Sequence, residues 1–144
     1  PFRVLLFTIV AEVEYLLATT LDRIHPDDSW IDLLQPTEDR PDPKAELLER
    51  KRNACSWDTT MPLTTFAEIG HLIEAVAASP QAIEMLGETG TIADELKSLP
   101  DLRNRIAHVV KPVVQGPSEI AKTAKQIDLL LGWIGRWSKR LSGP

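Results

Sequence analysis

The chain has 144 residues, 43% of them apolar, and a net charge of −5 at neutral pH. This length supports one domain around one hydrophobic core and is too short for two, so residues 1–144 are expected to form a single unit. The acidic balance excludes a protein that coats nucleic acid with a uniformly basic surface.

From Phe2 to about Ile24, the apolar residues Leu6, Ile9, Val10, Val13, Leu16, Leu17, Leu21 and Ile24 recur at helical spacing and predict a long helix with a wide buried stripe. Arg3, Glu12 and Glu14 interrupt this segment and no cleavage site follows it, so a core helix is expected rather than a membrane span or a signal peptide. On a helical wheel Glu12 falls at the border of the stripe and Glu14 points away from it. Glu12 is therefore the candidate for a partly buried carboxylate in need of a partner; the plainer alternative is that it reaches solvent. The chain opens at Pro1, without methionine, directly into the apolar run, which fits a domain excised from a longer protein better than a processed one.

A Pro- and Asp-rich connection follows His25, with a short turn expected around Trp30–Leu34. Lys44 to about Trp57 reads as a second helix whose Lys51-Arg52 pair faces solvent or an anionic partner. Thr65 with Glu68 forms a capping box ahead of Phe66, Ile69, Leu72, Ile73 and Val76, predicting a third helix to about Ala78. Ser79-Pro80 starts another, with serine as cap and proline in its first turn, and Gly87 and Gly90 close it. Thr91 to about Leu99 is helical again. Pro100-Asp101 opens a helix that Pro112 limits, and Gly116-Pro117-Ser118 launches the last, running to about Leu141. Alternating strand patterns are absent. The expected fold is all-α, a bundle of four to five principal helices. Trp133 and Trp137, four residues apart, face either the core or a dimer interface.

Cys55 is the single cysteine, and neither Cys-x-x-Cys nor a His/Cys cluster is present. No metal and no cofactor are expected, and a reducing, cytoplasmic setting is. There is no Gly-x-Ser-x-Gly elbow and no Gly-rich phosphate loop, which disfavours hydrolases and nucleoside triphosphatases of those types. His25 reads as a helix terminus and His71 as a packed or half-exposed helix residue. Charge is unevenly divided: residues 102–144 hold eight Lys and Arg against Glu119 and Asp128, a net +6, which leaves −11 for residues 1–101. Either folding mixes the two halves or a locally basic site for a phosphate backbone exists.

Chemistry concentrates in Leu102-Arg103-Asn104-Arg105-Ile106-Ala107-His108. Histidine titrates near neutrality and can take a proton from an RNA 2′-hydroxyl or give one to the leaving 5′-oxygen. Arginine stays charged and holds phosphate oxygens with a planar fork, while Asn104 can orient a phosphate or a base. Five positions separate Arg103 from His108, about 140° on an ideal helix, so one copy makes a poor active site. Two copies facing one cleft across a two-fold axis would pair both arginines and both histidines around one phosphate. The plainer alternative places Arg103 in a surface ion pair and His108 at a helix end.

Arg103-Asn104-Arg105-Ile106-Ala107-His108, near the end of a helix in an all-α domain, resembles the Arg-(four to six residues)-His signature of the HEPN superfamily (higher eukaryotes and prokaryotes nucleotide-binding domains), including its polar position after the arginine. The resemblance implies a metal-independent endoribonuclease working as a homodimer on RNA, in toxins, antiviral defence or RNA processing. It implies Arg103 and His108 as the catalytic pair with Asn104 beside them, and Glu12 and Arg105 in support. It also implies a possible antitoxin or fused regulatory domain, and no membrane. Other members are non-catalytic modules that dimerise or sense a nucleotide or partner, which is the alternative function. The toxin subclass with tyrosine two residues after the histidine is disfavoured, because Val110 stands there.

Overall fold

A computed structural model describes residues 2–54, 61–107 and 116–143. Seven α-helices occur among them: α1 (Phe2–Ile24), α2 (Pro43–Ala54), α3 (Ile69–Ala78), α4 (Pro80–Leu86), α5 (Ile92–Leu96), α6 (Leu99–Ala107) and α7 (Pro117–Leu141). Two 3-10 turns, Ser29–Leu33 and Leu63–Phe66, complete the set, and no strand is found among the described residues. Five of the helices have nine residues or more, in keeping with the expected bundle.

The stripe on α1 explains the arrangement, because Leu6, Val13, Leu17 and Leu21 are fully buried and need neighbours on several sides. α7, α3, α6 and α4 supply them, making α1 the central helix. By length and composition alone α1 is also apolar enough to cross a membrane, with 44% of its most apolar window buried within the fold. Trp133 and Trp137 of α7 are both fully buried and stacked, with centroids 5.3 Å apart and rings 6° from parallel. The pair belongs to the core rather than to an interface. Trp137 Nε1 donates to Glu88 Oε1 (2.9 Å), an acceptor that Arg136 also reaches, so the indole is buried without losing its hydrogen bond.

Local chemistry sets the boundaries. The Ser79 hydroxyl accepts from the Ala82 N–H (3.2 Å) while Pro80 occupies the first turn of α4, as expected. α4 ends at Gly87 with φ 72°, a left-handed backbone that favours glycine, and the Arg140 guanidinium lies over the bare Cα. The start of α3 differs from expectation. Thr65 lies in the second 3-10 turn, and Glu68 itself is the cap residue, with His71 Nδ1 accepting the Glu68 N–H (3.1 Å). The capping signal was displaced by three residues because Glu68 can serve either as the third residue of one box or as the cap of the next. The segment beyond Ala54 in the second predicted helix, together with Cys55, lies outside the described residues.

Candidate functional site

α6 presents the motif. Leu99, Leu102 and Ile106 are buried at helical spacing, which turns Arg103, Asn104 and Ala107 outward and leaves Arg105 half-buried. The far end of α6 is tied to α1 by Arg3, whose Nη1 donates to the Ile106 carbonyl oxygen (3.0 Å). His108, Val110 and Pro112 lie outside the described residues.

Arg103 keeps 46% of its side chain exposed. Its Nε stands 3.8 Å from Glu14 Oε1 on α1, a loose ion pair and not a hydrogen bond. Glu12 reaches solvent, the plainer of its two expected placements, whereas Glu14, expected to point away, is half-buried and faces the motif. The reason lies in the neighbours: α6 packs along the edge of α1 that carries Arg3 and Glu14, so the covered surface extends past the stripe on that side. Burial raises the Glu14 carboxyl above its ordinary range, and the Arg103 charge partly offsets this.

Beside Arg103 opens a cleft of about 270 Å³, lined by Glu68, Ile69, Gly70, Pro100, Arg103 and Asn104. It lies between the start of α3 and the first turns of α6. Glu68 is anchored by Arg50 of α2 (Oε1 to Nη2, 2.9 Å), which with Arg103 holds its carboxyl below the usual range, so it is ionised at neutral pH. His71 is buried, and burial together with Arg40 and Arg50 lowers its pKa against the opposing pull of Glu68 and Glu46. No family model, curated protein or solved structure matches this chain.

The structure brings Arg103 and Asn104 to one exposed face at a cleft, leaves Arg105 on the flank of α6 and separates Glu12 from them. Glu14 and Glu68, which sequence reasoning did not select, are the carboxylates around Arg103. Among the described residues no group of three or more His, Cys, Asp or Glu side chains is placed to hold a metal ion. The arrangement offers a fixed cation with accessible donors, an amide and an ionised carboxylate within one cleft, a combination suited to a phosphate with an attached polar ring.

Proposed function

We propose that this protein is a HEPN-type endoribonuclease that cleaves RNA without a metal, with the active site formed where the motifs of two protomers meet. The observation that carries this reading is the position of Arg103, half-exposed at a cleft and held only loosely by Glu14, on the outward face of a helix in an all-helical domain. The ion pair of Arg103 with Glu14 runs through Nε at 3.8 Å and leaves the other guanidinium donors for a phosphate. The contact that the resemblance assigns to Glu12 falls to Glu14.

In the paired cleft, one His108 removes the proton of the 2′-hydroxyl as the 2′-oxygen bonds to phosphorus. The other His108 gives a proton to the 5′-oxygen as its bond to phosphorus breaks, leaving a 2′,3′-cyclic phosphate and a 5′-hydroxyl. Arg103 binds the phosphate and stabilises its added charge, with Asn104 orienting it. A second copy has apolar surface available beside the motif: Val4 and Phe7 of α1 are exposed and line a hollow with Ile106 and Ala107 of α6.

The alternative, a non-catalytic module that dimerises or senses a nucleotide or partner, draws on the Arg103–Glu14 pair as a structural contact. Incubation of single-stranded RNA with the protein in EDTA separates the two. Cutting that disappears in Arg103→Ala and His108→Ala supports the nuclease; no cutting by the wild type across varied substrates and pH contradicts it.

A further inference from the structure

We infer that the cleft between α3 and α6 is a base-recognition subsite selective for guanine, placing a guanosine next to the phosphate that Arg103 holds. The inference rests on the reading of Arg103 as the phosphate clamp of an RNA-cleaving site, and it names the nucleotide which that site prefers. At about 270 Å³ the cleft falls just below the range of drug-sized ligand sites, which begins near about 300 Å³, and so suits one ring system. Its Gly70 wall is bare backbone: a Cβ there would meet no heavy atom within 4 Å. Ile69 and Pro100 are the apolar residues of the lining, and three polar residues, Glu68, Arg103 and Asn104, share it.

Glu68 decides which base. Glu68 lines the cleft, and its carboxylate, ionised and anchored by Arg50, is an acceptor with no proton to donate. Unstacked RNA bases are read on their Watson–Crick edges. Guanine alone presents two adjacent donors there, N1–H and the N2 amino group, which a carboxylate takes as a pair. Adenine and cytosine each set a ring-nitrogen acceptor against it, and uracil flanks its single N–H with two carbonyls, so each of these meets at least one repulsive lone pair. Arg103, on the same cleft, remains for the phosphate, and Asn104 can bond the guanine O6 or the ribose.

The test titrates the protein with 3′- and 5′-monophosphates of guanosine, adenosine, cytidine and uridine, following amide shifts in an assigned 1H–15N spectrum, and in parallel maps cut sites on an RNA containing every dinucleotide. Guanosine monophosphate is expected to bind at least about fivefold more tightly than the others, the lower end of what one bidentate pair is worth, and to move the Ile69, Gly70 and Asn104 amides. Gly70→Leu, which fills the cleft, is expected to abolish the preference while melting as the wild type does. Glu68→Gln, which adds a donor, is expected to relax it toward adenosine. Equal binding of all four nucleotides, or a guanosine preference unaffected by Gly70→Leu, overturns the subsite. Guanosine binding without RNA cutting would contradict the nuclease and leave the base pocket standing, whereas cutting without base preference would do the reverse.

Discussion

His71 shows how one side chain links stability to acidity. Its Nδ1 accepts the Glu68 N–H, so in the neutral ring the proton sits on Nε2, and protonation would place a hydrogen where that acceptor lies. Arg40, Glu46, Arg50 and Glu68 face it, and burial leads the causes that lower its pKa from 6.5. A histidine whose folded pKa is depressed binds its proton first in the unfolded chain, so stability is lost as pH falls below about 6.5 and levels off below the folded value. Glu68, also depressed, adds a second loss once the pH drops below about 4.5. Thermal melts between pH 7.5 and 5 are expected to show the wild type losing more stability than His71→Gln, because glutamine serves the same cap without titrating while the raised Glu14 carboxyl acts alike in both. Parallel curves for the two proteins would contradict this account of His71.

Among the elements, α4 and α6 differ in how they are held. α4 depends on a local cap, and Ser79→Ala is expected to cost about 1 kcal/mol in denaturant unfolding. α6 depends on a contact 103 residues away, Arg3 to the Ile106 carbonyl. Arg3→Met is expected to speed amide exchange in the last turn of α6 while leaving α3 unchanged; a uniform rise would mean that Arg3 supports the whole fold instead. The same contrast explains what could be read from the chain. Ser79-Pro80, Gly87 and Gly116-Pro117 are local signals, and α4 and α7 begin where they indicate. Which of Glu12 and Glu14 is covered depends on the side of α1 that α6 occupies, and periodicity in α1 carries no information about that.

At the scale of the molecule, the core is organised by α1 and by the stacked tryptophans of α7, and Trp133→Ala is expected to cost about 3–5 kcal/mol by leaving a cavity between helices. An all-helical bundle was legible because buried positions repeat at helical spacing in every long segment. Of the site, Arg103 and Asn104 were legible as types and spacing, whereas Glu68 was read only as a capping residue. Its place beside Arg103 arises from the packing of α3 against α6, residues far apart in the chain. The central claim is that two copies of the motif share one RNA-cleaving cleft. Its most direct test is the rate of RNA cleavage per chain, in EDTA, measured across protein concentrations that span the monomer–dimer transition. The account predicts that this rate rises as dimers form and vanishes in Arg103→Ala. Cleavage by a monomer, cleavage that survives loss of Arg103, or none at any concentration would contradict it.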